Sequence, residues 1–138
     1  MQVPAAPPTL RVLVIDDSPT IRRSAEMVLA RAGLQVDLAE NGFAALARIS
    51  DCRPDLILLD VMMPRLDGYQ TCSLLRRNPA FADVPVIMLS GKDTVFDRVR
   101  GRLAGSDLYL TKPFTSETLL EAVHAHLPAR GCLQGEAQ

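Results

Sequence analysis

Residues 55–68 read Asp55-Leu-Ile-Leu-Leu-Asp60-Val-Met-Met-Pro-Arg-Leu-Asp-Gly68: four large aliphatic residues in succession, a lone acid, then a loop punctuated by Pro and Gly. A continuous apolar run bounded by turn formers is a strand covered on both faces, because a strand with one wet face alternates. The same grammar recurs at Val12-Leu-Val-Ile15 and Val86-Ile-Met-Leu89, so three interior strands are expected. Leu34-Gln-Val-Asp-Leu38 alternates strictly and Leu108-Tyr-Leu110 is short and partly polar, which assigns both to sheet edges. Helix-period segments separate these runs. Five such alternations define an α/β domain with a parallel sheet, its strands expected at residues 10–15, 34–38, 56–60, 84–90 and 107–110.

The helices carry their own signals. The first opens on Ser18 as N-cap with Pro19 behind it, turns Ile21, Ala25, Val28, Leu29 and Ala32 inward, and ends at Gly33. The fourth, near residues 94–103, offers Val95, Val99 and Leu103 to the core, with Gly101 inside it costing about 1 kcal/mol relative to Ala. The last starts at Thr115 or Ser116, buries Leu119, Leu120, Val123 and Leu127, and stops before Pro128. Met27 and Met88 read as core filling. Arg22, Arg23, Arg76, Arg77, His124 and His126 read as surface positions.

A length of 138 residues suits one domain, expected at residues 10–127 between flexible flanks 1–9 and 128–138. The formal net charge of −1 argues against a basic nucleic-acid binder, and the absence of Trp argues against a platform for stacked bases. Cys52, Cys72 and Cys132 are odd in number and widely spaced, as in a reducing compartment. The start lacks a secretory pattern and no apolar stretch approaches the ~18 residues of a membrane span, so a cytoplasmic protein without membrane insertion is expected.

Parallel strands end on one rim, where ligands of such sheets bind. At that rim stand Asp16-Asp17, Asp60, Ser90 and, after the last strand, Lys112. Taken singly, each is an ordinary turn former, cap or solvated group. Together they are three carboxylates with a hydroxyl and an ammonium. Crowded carboxylates repel, and hard oxygen donors without His or Cys suit Mg²⁺. Asp60, alone at the end of the central strand, is then the nucleophile toward phosphorus. Asp16 and Asp17 hold the metal, and Lys112 and Ser90 contact the transferred oxygens.

These residues, in Val14-Ile-Asp-Asp-Ser18, Leu59-Asp-Val-Met-Met-Pro64 with Asp67-Gly68, Met88-Leu-Ser90 and Leu110-Thr-Lys-Pro-Phe114, resemble the response-regulator receiver domain of bacterial two-component signalling. The resemblance implies a flavodoxin-like, doubly wound (βα)5 fold with strand order 2-1-3-4-5 and a cis Lys112–Pro113 peptide. It implies a phosphoacceptor rather than an enzyme with a separate substrate, with Mg²⁺-dependent transfer to Asp60 from a histidine kinase of the CheA type and the backbone carbonyl of Met62 completing the metal ligands. It further implies a switch in which Ser90 moves toward the phosphoryl group and Tyr109 turns inward, remodelling the face of the fourth helix, fifth strand and fifth helix. Tyr109 also reads as an ordinary half-buried aromatic of an edge strand.

Met62 and Lys92 occupy the positions that tune hydrolysis in the family. Since Met62 cannot orient a water, a longer phosphoryl lifetime is expected than with Asn there. Phe96, Arg98, Arg100 and Arg102 are a candidate partner face or, equally, a solvated basic face. Thr20-Ile-Arg-Arg23 and the stretches 63–72, 96–98 and 105–107 further resemble single-domain regulators of type IV pilus twitching motility, implying a downstream pilus or polar signalling protein. With no output domain expected after residue 127, any effect would be exerted in trans. The competing reading is a phosphate-independent binding module on the same fold.

Overall fold

The computed structural model describes residues 9–92 and 94–128; the expectations for the flanks, and for Cys132, fall almost wholly outside the described residues. Ten elements alternate without exception: β1 (Arg11–Ile15), α1 (Pro19–Arg31), β2 (Gln35–Ala39), α2 (Gly42–Cys52), β3 (Leu56–Asp60), α3 (Gly68–Arg77), β4 (Val86–Ser90), α4 (Val95–Ala104), β5 (Leu108–Thr111) and α5 (Ser116–His126). All strand pairs are parallel in the order β2-β1-β3-β4-β5, which leaves the alternating β2 and the short β5 as edges. The register pairs Ile15 with Leu59, Asp60 with Leu89 and Ser90 with Thr111. The four strands that carry the candidate groups therefore end at one level.

Alternation along each strand divides the core into two. On one face Leu13, Ile15, Ile57, Leu59, Val86 and Met88 pack against Ala45 and Ile49 of α2 and Cys72 and Leu75 of α3. On the other, Val12, Val14, Leu56, Leu58, Ile87 and Leu89 pack against Ala25 and Leu29 of α1 and Leu119, Ala122 and Val123 of α5. Both faces of β3 and β4 are buried throughout, which is why their sequences never alternate. Cys52 and Cys72 are free and buried thiols.

Each helix start is fixed by a side-chain cap. The Ser18 hydroxyl accepts from the Ile21 amide, and the Asn41 carbonyl oxygen from the Ala44 amide. Asp67 with Gln70 and Thr94 with Asp97 form reciprocal capping boxes at α3 and α4. Gly33, at φ 90°, terminates α1 in the left-handed region. The Lys112–Pro113 peptide is cis.

Several expectations are corrected. Ala32 is the exposed C-cap of α1 rather than a core residue, and Met27 is 47% exposed while Met88 is fully buried. The largest correction is α4: Val95, Val99 and Leu103 all face outward, with Leu103 82% exposed. Gly101 is the buried residue of this helix, flanked by the partly buried Asp97 and Ala104. α4 thus rests on a strip of small residues, because the space beneath it is filled by Met88 and Tyr109: a Cβ on Gly101 would lie 3.0 Å from the Tyr109 ring and 3.2 Å from the Met88 sulfur.

Arg76 is no solvated charge either. Its guanidinium donates to the carbonyls of Gly105, Phe81 and Val84 at 2.9, 3.1 and 2.7 Å and pairs with Asp107 at 3.0 Å, tying α3 to the start of β5. Arg22 likewise donates to the Asp16 carbonyl at 2.6 Å. His124 is exposed, while His126 is partly buried with Nδ1 2.9 Å from the Ala122 carbonyl oxygen.

Candidate functional site

Asp16 leaves β1 at the rim and is completely buried; Asp60 ends β3 and is 2% exposed; Asp17 is exposed. One carboxylate oxygen from each lies within 4.8 Å of the others. Lys112 follows β5 and its Nζ donates to Asp16 Oδ2 and Asp60 Oδ1, both at 3.1 Å. Ser90 is buried at the end of β4, and the backbones of its strand and the next are locked there by the Lys112 amide donating to the Ser90 carbonyl at 2.7 Å. Four of the five rim side chains are thus drawn into one cluster, with Ser90 beside them on the neighbouring strand end. Asp16 also has a structural task that sequence reasoning did not assign, since its Oδ1 accepts from the Ser18 amide at 2.9 Å at the start of α1.

Three carboxylates against one ammonium leave uncompensated negative charge at a site where two of the carboxylates, Asp16 and Asp60, are buried. Burial and the neighbouring Asp16 carboxylate raise the pKa of Asp60 to about 6, although Lys112 and the Met62 amide pull in the other direction. Burial of Lys112 disfavours its charge, but Asp16 and Asp60 outweigh this and hold the pKa above its usual value. The donors are all oxygen, with no nitrogen or sulfur ligand among them. Such a set fits a small hard divalent cation, which would discharge the repulsion that Lys112 alone leaves.

The loop after Asp60 is held from below. Its Val61 amide donates to Leu89, and Gly68 donates back to Val61, both at 3.0 Å. Gly68 is required here: a Cβ would stand 2.5 Å from the Asp60 carbonyl oxygen and 2.7 Å from the Val61 Cα. Met62 donates its amide to Asp60 Oδ1 at 3.3 Å and leaves its side chain 53% exposed at the mouth of the site. Lys92 is also exposed, with its amide donating to Ser90 Oγ at 3.0 Å. A groove of about 510 Å³ between α1 and α5, lined by Ile21, Ala25, Val28, Phe114 and Leu119, runs up to Lys112.

Tyr109 of β5 lies inward, 7% exposed, and its hydroxyl donates to the Lys92 carbonyl at 2.8 Å. Sequence reasoning singled out both residues but not this bond, because the acceptor is a backbone atom. Arg98 extends from α4 over Tyr109 and donates to Thr111 Oγ1 at 3.1 Å; Arg100 covers a second buried ring, Tyr69, with the guanidinium carbon 4.4 Å from its centroid. Tyr69 was missed altogether; its only signal was a large aromatic one residue into a helix that starts behind the acceptor. Phe96 is 72% exposed, and Arg102 is exposed in the last turn of α4.

Residues 12–124 match the response regulator receiver domain family. The chain is 58% identical over 120 residues to protein PilG of Pseudomonas aeruginosa, covering 87% of this chain and 89% of that protein. It is 45% identical over 118 residues to response regulator MprA of Mycobacterium sp. strain KMS, 86% of this chain but only 50% of MprA. Among solved structures, the chemotaxis protein CheY4 of Vibrio cholerae superposes with a TM-score of 0.84 at 32% identity, covering 87% of this chain and all of that one. A CheY-like receiver protein of Methanospirillum hungatei gives 0.80 at 26% identity, over 86% and 93% of the two chains. The aspartate cluster at the strand ends, the 2-1-3-4-5 sheet and these likenesses lead to one conclusion: the chain belongs to the response regulator receiver domain family.

Proposed function

We propose that Asp60 accepts a phosphoryl group from a phosphohistidine of a CheA-like histidine kinase and that the domain spanning residues 10–127 relays this state to a protein partner. The observation that carries the reading is the Lys112 ammonium placed 3.1 Å from both buried carboxylates, Asp16 and Asp60, at the end of the central strand. In the transfer an Asp60 oxygen forms the new P–O bond while the P–N bond breaks and its electron pair leaves on the imidazole nitrogen, which takes a proton from water. Lys112 is placed to neutralise one phosphoryl oxygen, and the Ser90 hydroxyl and nearby amides to bond others.

Receiver domains bind Mg²⁺ at an acidic pocket, and Asp16, Asp17, Asp60 and the Met62 carbonyl are the residues that would hold it here. When bound, the ion supplies positive charge that lowers the repulsion between the acceptor and the incoming phosphoryl group. Met62 and Lys92, whose amides donate to Asp60 Oδ1 and Ser90 Oγ, set the rate at which water returns Asp60 to its free state.

Ser90 and Tyr109 are the switch, and the output face is built on α4, with Phe96, Arg98, Arg100 and Arg102 exposed to a partner. The outward Val95, Val99 and Leu103 enlarge that face beyond what the sequence suggested. The 58% identity to PilG supports a place in type IV pilus twitching motility, with a pilus or polar signalling protein downstream and the cytoplasm as the compartment where donor and partner meet.

The test is intact-mass analysis of wild type and Asp60→Asn after incubation with a small phosphoryl donor, with Mg²⁺ or with EDTA. One phosphoryl adduct on the Mg²⁺-treated wild type alone is expected. No adduct under any condition would overturn the reading in favour of a phosphate-independent binding module.

A further inference from the structure

Tyr69 and Tyr109 are the two tyrosines of the chain, and they meet. They come from elements 40 residues apart, α3 and β5, and both are 7% exposed. Tyr109 spends its single hydroxyl proton on the Lys92 carbonyl at 2.8 Å. Its oxygen therefore faces Tyr69 as an acceptor, at 3.4 Å, and the Tyr69 proton is shared between that oxygen and the Asp97 carbonyl, also at 3.4 Å. The Arg100 guanidinium closes over the outer face of Tyr69. A buried phenol with two acceptors in reach and a cation on its ring is fixed from three sides.

The position of Tyr69 gives this contact a direction. Gly68, its neighbour, packs directly on the acceptor's own peptide. From the Asp60 carbonyl the path runs through Gly68 to Tyr69, and from Tyr69 it branches to Tyr109 and to the first turn of α4. The helix is otherwise seated by Arg98, which donates to Thr111 Oγ1 at 3.1 Å, and by a buried strip of Gly101 flanked by Asp97 and Ala104.

We propose that Tyr69 is a positioning residue for the switch: its hydroxyl and ring hold Tyr109 inward and seat the start of α4, coupling the loop behind Asp60 to the output face. The proposal rests on the phosphoacceptor reading for its purpose, but its physical content is the dependence of Tyr109 on Tyr69. Removing the hydroxyl alone should then raise the outward population of Tyr109 by about three- to tenfold, the effect of one net hydrogen bond.

The experiment uses the full chain labelled with 3-fluorotyrosine, held in EDTA, and reads ¹⁹F relaxation by a soluble gadolinium chelate. Wild type gives two resonances and Tyr69→Phe leaves the one that belongs to Tyr109. Expected is a rise in relaxation of Tyr109 from wild type to Tyr69→Phe and a further rise in Tyr69→Leu, which also removes the ring. Tyr109 in Tyr69→Phe relaxing as in wild type would overturn the proposal, because a merely space-filling Tyr69 is fully replaced by Phe. Mass analysis of Asp60 labelling on parallel portions of the same proteins, returned to Mg²⁺ with the phosphoryl donor, keeps the two readings apart: absence of label in wild type counts against the phosphoacceptor reading, while the fluorine signal still decides the dependence of Tyr109 on Tyr69.

Discussion

Replacing Asp60 by Asn should stabilise the metal-free protein at neutral pH, although it removes a charge that Lys112 contacts. Asn keeps the shape and the acceptor oxygen facing Lys112, and deletes one of three crowded carboxylates. A pKa raised from 3.8 to about 6 means that the ionised acid destabilises the folded state. The sign follows directly: below the unfolded value of 3.8 Asp60 is protonated in both states and costs nothing, and its contribution to stability is lost as the pH rises through about 6. The full rise corresponds to about 3 kcal/mol, and keeping Lys112 partnered in both proteins leaves about 1–3 kcal/mol as the expected gain of Asp60→Asn above pH ~7. Urea unfolding in EDTA at a series of pH values measures it, with the gap closing toward pH 4. Mg²⁺ at about 1,000 times its Kd should reverse the order, because it adds about 4.1 kcal/mol to the protein that binds it. Wild type more stable than Asp60→Asn in EDTA at pH 8, or a gap that does not change with pH, would refute the electrostatic account.

Gly68→Ala should cost more than about 2 kcal/mol in urea unfolding, since the added carbon meets backbone atoms that cannot yield; a loss under 0.5 kcal/mol would show that the loop shifts freely. Arg76→Ala should destabilise by about 2–3 kcal/mol through the orphaned carbonyls of Gly105, Phe81 and Val84, checked by the same titration. Leu103→Ser should change stability by less than about 0.5 kcal/mol, against about 2–4 kcal/mol for Leu75→Ala in the core; the pair distinguishes an outward from an inward α4 face. Met62→Asn should shorten the lifetime of the Asp60 phosphoryl group, read as the decay of the mass adduct after the donor is removed, because Asn can orient a water and Met cannot.

The strands were legible because interior parallel strands must be apolar on both faces, and each predicted strand lies within two residues of the observed one. The convergence of Asp16, Asp17, Asp60 and Lys112 was legible for a related reason: parallel strands of similar length share a rim, so residues at their ends must be neighbours. What failed was the rule that the large apolar stripe of a helix faces the core. In α4 the stripe of Val95, Val99 and Leu103 points out, because Met88 and Tyr109 already occupy the space beneath and leave room for a residue as small as Gly101. The period grouped Val95, Val99 and Leu103 on one face but did not point to the strip of Asp97, Gly101 and Ala104 for which the rest of the chain had left room. Arg76 was hidden by the same blindness: its partners are mostly backbone carbonyls, which carry no sequence signature.

The sheet that divides the core has a consequence for how this protein can change. The residues packed with α2 and α3 and those packed with α1 and α5 form separate apolar clusters, with the backbone of five strands between them. Substitutions on opposite sides share few contacts, so their effects should add rather than compensate. The surface of α1 and α5 beside Lys112 can therefore diverge to suit one molecule while the outward stripe of α4 diverges to suit another. What either surface comes to recognise is then inherited as a nearly independent trait, the two joined at the rim where the aspartates meet.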